Sequence, residues 1–127
     1  MAERDQPKDR AHNKIPSTRT LSGLARIATN CRACDLWQRG TQTVFGEGEP
    51  HTKITFVDEV PGDHEARQGK PLMGPAGRLL DRALTEANID RSKVYVTNAV
   101  KHFSWEPRGK RRIHKRPSAV EVAACRP

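Results

Sequence analysis

Apolar and polar positions alternate with different periods along the chain, and the changes of period divide it. The first twenty residues, MAERDQPKDRAHNKIPSTRT, hold almost no large apolar side chain, so residues 1-20 cannot offset the entropy of ordering and are expected to form a disordered tail. In LSGLARIA, positions 21, 24, 25 and 28 share one helical face, which predicts a short helix leading into a cysteine pair. Ile54-Thr55-Phe56-Val57 is a β-branched and aromatic run that predicts a buried strand, stopped by Pro61-Gly62. The stretch PAGRLLDRALTEANI places Ala76, Leu80, Ala83 and Ala87 along one stripe with Leu79 and Leu84 beside it. It opens on Pro75, where a first-turn proline is harmless because that N–H has no helical acceptor. Lys93 to Asn98 reads as a second strand, and Ser118 with Glu121 forms a capping box opening a last helix after Pro117.

Strand, loop, helix, strand is the grammar of an α/β fold with a parallel sheet covered by helices. Two good strands do not complete such a sheet, and the last helix stops at its second turn. Residues 21-127 are therefore expected to be the N-terminal portion of a larger domain. Composition adds a partner: 23 Lys and Arg against 15 Asp and Glu give a formal charge of +8, which suits a polyanion such as nucleic acid. No run approaches the roughly 18 apolar residues of a membrane helix, and the N-terminus resembles neither a signal peptide nor a transit sequence. A cytoplasmic protein without a membrane partner is the expectation.

Three clusters carry candidate chemistry. Cys31-Arg32-Ala33-Cys34 can turn both sulfurs toward one ion, and Cys125, 91 positions beyond Cys34, joins them only through folding. Three thiolates are one short of a four-cysteine site, and this spacing does not separate zinc from iron–sulfur. Asp58, Glu59, Asp63 and Glu65 surround His64 at the end of the first strand, where parallel-sheet enzymes keep ligands and where carboxylates can orient water or stabilise positive charge on a sugar. From Lys101 to Pro117, seven Lys or Arg stand against one acid, with His102, His114, Phe103 and Trp105 interleaved. Such a run reads as a basic loop for backbone phosphates, with aromatic rings to stack or wedge against bases.

The order Cys-x-x-Cys, strand, ExPG, GKPxxGPAGRLLDRAL, VYVTNAVKHF, KRRIHK and EVxACRP resembles the iron–sulfur uracil-DNA glycosylases of family 4. Within them it is most similar to the covalently DNA-linking type, UdgX, which the KRRIHK loop distinguishes. The resemblance runs from about Leu24 to Pro127. It implies a three-layer α/β/α sandwich with a central parallel sheet, here incomplete at the C-terminus. It implies that Cys31, Cys34 and Cys125 hold a [4Fe–4S] cluster, with the fourth ligand beyond Pro127. Glu59 would assist attack at the sugar anomeric carbon and His114 would bond to it; Asn98, Gly62 and Leu72 fall at positions of the uracil pocket. Lys110, Arg111, Arg112 and Lys115 would contact DNA.

The implied activity is excision of uracil from DNA, preferably single-stranded, by a monomer in base excision repair, ending in a histidine–DNA adduct. A second histidine motif of such enzymes, of the HPS type, is absent from these 127 residues, so this portion alone is expected to be inactive. Three positions depart from the pattern: Asp58 replaces a glycine, Val60 a glutamine, and Leu72 a phenylalanine that stacks on uracil. The alternatives are a metal-stapled nucleic-acid-binding module without catalysis and a glycosylase whose pocket has decayed.

Overall fold

A three-stranded sheet and a separate hairpin organise residues 16–126, the part of the chain that the computed structural model describes. Most of the expected tail, residues 1–15, lies outside the described residues; Pro16 to Thr20 lead into helix α1 (Leu21–Ala28), whose first turn Thr20 caps by accepting from the Gly23 amide at 3.1 Å. Then follow α2 (Leu36–Arg39), β1 (Gly46–Glu47), β2 (Ile54–Asp58), α3 (Asp63–Gln68), α4 (Pro75–Glu86), β3 (Val94–Asn98), β4 (Trp105–Arg108), β5 (Arg111–His114) and α5 (Ala119–Cys125). The capping box on α5 forms as expected: the Glu121 amide donates to Ser118 Oγ at 3.2 Å, and the Ser118 amide donates to Glu121 Oε1 at 2.8 Å.

Strand order is β1-β3-β2. β2 and β3 run parallel with Phe56 opposite Val96 and Asp58 opposite Asn98, but β1 is antiparallel to β3, so the sheet is mixed where an all-parallel one was expected. β1 lies close on β3 because Gly46 has no side chain; a Cβ there would run into the Tyr95 ring.

Helix α4 packs on the sheet face that carries Phe56, Val94 and Val96, with Leu80, Leu84, Leu72 and Ile89 completing that apolar cluster. Its buried stripe is Gly77, Leu80 and Leu84, whereas Ala76, Ala83 and Ala87 of the expected stripe are exposed. The rotation has a steric cause. A Cβ on Gly77 would collide with the Leu72 carbonyl, so this turn of helix sits directly on the preceding loop and turns its Gly77 side inward. The expectation of a buried first strand also needs correction: β2 is an edge strand, and Val57, on the face away from α4, is 64% exposed. Among the described residues the sheet thus has one covering helical layer rather than two. A second cluster, Leu36, Val60 and Val100 with Cys34 and Cys125 against it, joins α2, the segments after β2 and β3, and α5.

Candidate active site and thiol cluster

The chain leaving β2 and entering α3 lines a cleft of about 360 Å3 with Asp58, Glu59, Gly62, Asp63 and Glu65, and β5 adds His114 from the far side. Backbone bonds fix this corner. The Glu59 carbonyl accepts from the Val100 amide at 3.0 Å, and the Glu59 amide donates to Asp58 Oδ1 at 2.8 Å. The Glu59 carboxylate is left half-exposed, with the Arg116 guanidinium 4.0 Å away. Beneath it, buried Glu65 accepts from the Met73 and Gly74 amides at 3.2 and 3.3 Å and so ties α3 to the start of α4. Gly62 is small by need, since a Cβ there would come within 2.9 Å of Glu65 Oε2.

The basic segment is a hairpin rather than a loop, with Trp105 opposite His114 and Arg108 opposite Arg111. Arg112 anchors it. Its Nε donates to Asp63 Oδ1 at 2.7 Å and its Nη1 to Thr41 Oγ1 at 2.8 Å, and the guanidinium lies 5.3 Å from the Phe103 ring centroid. With its side chain 18% exposed, Arg112 is committed to the protein, which corrects its expected role as a DNA contact; Lys110, Arg111 and Lys115 are exposed as expected. The Arg67 hydrogen bond, reinforced by Arg112, holds the Asp63 carboxyl below its ordinary value. The aromatic residues need the same correction. Phe103 is fully buried and the Trp105 indole N–H donates to the Arg39 carbonyl at 3.0 Å, so neither ring is presented to stack on bases. Arg112 and Asp63 are the residues that sequence reasoning missed, since nothing in a run of cations marks the one that has an acid opposite it.

Of the remaining expected pocket residues, Asn98 and Leu72 stand apart from this cleft. Asn98 is buried at the end of β3; its Nδ2 donates to the Val44 carbonyl at 3.3 Å, and its Oδ1 has no hydrogen-bond partner among the described residues. Below it Lys101 donates to the Asn98 carbonyl and to Thr97 Oγ1, both at 2.6 Å, and to the Phe45 carbonyl at 3.1 Å, while burial draws the ammonium below the usual lysine value. Leu72 packs in the apolar cluster under α4 and has a left-handed backbone, φ 51°.

The three cysteines are brought together as expected, all as free thiols. Cys31 and Cys125 line a larger cleft of about 600 Å3 that also borders Phe45, Asn98 and Lys101. Burial first, then the charges of Cys125, Glu121 and Cys31, push the Cys34 thiol up to about 11 against the Leu36 amide, and burial likewise raises Cys125. Thiols in such surroundings ionise only with a cation present, and three soft sulfur donors suit zinc or iron. The donor chemistry fits a thiolate-bound metal with one ligand lacking, but among the described residues no three metal-binding side chains are close enough to enclose an ion.

Residues 45–127 match the Uracil DNA glycosylase superfamily. The chain belongs to the uracil-DNA glycosylase superfamily. Among individual glycosylases, it is 39% identical over 109 residues to the Type-4 uracil-DNA glycosylase of Sulfurisphaera tokodaii, covering 85% of this chain and 46% of that protein. It is 42% identical over 95 residues to the enzyme of the same name from Thermotoga maritima, covering 75% of this chain and 46% of that one. The Saccharolobus solfataricus glycosylase is 38% identical over 108 residues, 84% of this chain and 47% of its own. The chain thus spans about half the length of the glycosylases it matches. The family match begins just before β1 and so takes in the cleft, the hairpin and Cys125, while the alignments that cover about 85% of the chain reach well upstream of β1.

Proposed function

We propose that this chain carries the catalytic corner of a type-4 uracil-DNA glycosylase that acts on uracil in single-stranded DNA and traps the sugar on His114. The observation that carries the reading is the meeting of Glu59 and His114, 55 positions apart, across one cleft at the end of β2. A uracil nucleotide turned out of the stack costs least in a single strand, where no pairing is lost. The C1′–N1 bond breaks with its electron pair leaving on uracil, which takes up a proton, and positive charge grows on the sugar. Glu59 stabilises that charge. An imidazole nitrogen of His114 then bonds to C1′ through its lone pair, and the ring's other N–H proton goes to water, leaving a protein–DNA adduct. Asn98, with its unpartnered Oδ1 at the end of the neighbouring strand, is the pyrimidine reader of this proposal, and Gly62 and Leu72 belong to the wall and floor around it.

Cys31, Cys34 and Cys125 would hold a [4Fe–4S] cluster with a fourth ligand from outside these 127 residues. Such a cluster supplies four thiolate attachments that pin chain segments together. The protein acts as a monomer, in the cytoplasm, with uracil-containing DNA as its partner. Incubating uracil-containing single-stranded DNA with a chain extended through the rest of the domain should give a species that survives hot detergent and migrates as protein plus oligonucleotide. His114→Ser should abolish it, because a hydroxyl is shorter and far less nucleophilic, and Glu59→Gln should reduce adduct and released uracil together. A His114→Ser protein that still forms the full adduct would place the nucleophile elsewhere.

A further inference from the structure

A second, smaller cleft of about 150 Å3 lies between the end of α1 and α2, apart from both sites above, and among its lining residues are Asn30, Arg32, Trp37, Thr41, Gln42 and His102. Two arginine–tryptophan stacks flank it. The Arg32 guanidinium sits over the Trp37 ring at 4.4 Å from the centroid, and that of Arg39 over Trp105 at 4.6 Å. Both arginines are exposed and neither forms an ion pair among the described residues, in contrast to Arg112, Arg67 and Arg91. An arginine held over an indole by cation–π attraction is positioned in advance, and its N–H groups remain available to an oxyanion. The cleft itself offers hydroxyl and amide groups. Its Thr41 end is held by Arg112, and the Trp105 indole N–H bonds the Arg39 carbonyl, so this face runs on into the basic hairpin.

We propose that the α2 face is a backbone-binding surface for a nucleic-acid strand, with one phosphodiester seated between the Arg32–Trp37 and Arg39–Trp105 stacks. This rests on the DNA reading above and extends it to a surface that the reading does not use. The ring faces are occupied by arginines, so bases do not stack there and the contact is independent of sequence and of uracil.

The chain's only two tryptophans, Trp37 and Trp105, both lie on this face, which gives a direct readout. Adding uracil-free oligothymidylate should change the emission of a Trp105→Phe protein, in which Trp37 is the sole indole; inorganic phosphate at the same phosphate concentration should not. The pair Arg32→Gln and Arg39→Gln should weaken binding of that oligonucleotide roughly tenfold and flatten the log–log salt dependence by about 1.4, at about 0.7 per phosphate contact on a single strand. Arg32→Lys with Arg39→Lys, which keeps charge but loses the planar stack, should restore the slope. Should Arg32→Gln/Arg39→Gln bind as the parent does while Lys110→Ala/Arg111→Ala is weakened, this surface is refuted and the DNA reading stands. Emission unmoved during binding that anisotropy detects also refutes it, and a parent protein that binds no strand at low salt overturns both.

Discussion

His102 shows how one buried side chain links parts of the chain that lie 59 positions apart. The Thr43 hydroxyl donates to the Ala28 carbonyl at 2.8 Å, so it accepts from the His102 ring at 3.2 Å, which assigns the proton to Nε2 and joins the end of α1 to the segment after β3. Burial draws His102 below its ordinary value. The neutral ring is therefore favoured in the fold, while the unfolded chain takes up a proton at about 6.5. Its contribution is complete above that pH and is lost as pH falls through the lower folded value. Melting temperatures should be flat from pH 8 to 7 and decline below about 6.5, and His102→Gln should remove that component of the decline. At this scale the chemistry was legible wherever residue type and spacing define it: the three thiols do come together, and Glu59 and His114 do share a cleft. What could not be read was commitment. Arg112 differs from Arg111 only in having Asp63 opposite it, 49 positions upstream, and Phe103 differs from an exposed base-stacking ring only in where the hairpin closes.

Among the elements, α4 and the hairpin each depend on a glycine, for different reasons. Gly77 lies against the Leu72 carbonyl with no room for a methyl group, whereas Gly109 has nothing within 4 Å of a built Cβ but turns the hairpin at φ +60°. Gly77→Ala must push the helix off the loop and should cost about 3 kcal/mol, and Gly109→Ala should cost only about 1 kcal/mol of backbone strain, both read by chemical denaturation. Equal costs would mean that α4 can shift without loss. The helices opening near 21, 75 and 119 and the strands near 54 and 94 were legible because their caps and apolar periods are local. The short elements α2, β1 and α3 were not, since two to six residues carry no period, and the α4 stripe was misplaced because alanine and glycine weigh little in a hydropathy pattern while deciding how close two backbones come.

For the whole molecule, the surplus of positive charge announced a polyanion, and the structure shows which cations remain available for it. Lys110→Ala with Arg111→Ala should weaken uracil-containing and uracil-free strands by similar factors and lower the salt slope by about 1.4. Arg112→Ala should act differently, loosening the hairpin from α3 and lowering adduct yield with little change in slope. A loss confined to uracil-containing strands in the first variant would move Lys110 and Arg111 into the pocket. The mixed sheet and its uncovered face were not legible, because the residues of β2 look the same at an edge as in a centre.

That edge has a colloidal consequence. Among the described residues β2 is paired on one side only, so its outer side offers a ladder of amides and carbonyls beside exposed Val57 and Ile54, with no charge between Lys53 and Asp58 to deter a second copy. What keeps two such copies apart in dilute buffer is long-range repulsion from the net +8 charge, and that repulsion decays within about 8 Å at physiological ionic strength and about 3 Å at 1 M. The high salt normally chosen to strip nucleic acid from a basic protein is thus the condition in which this chain is least protected from self-association.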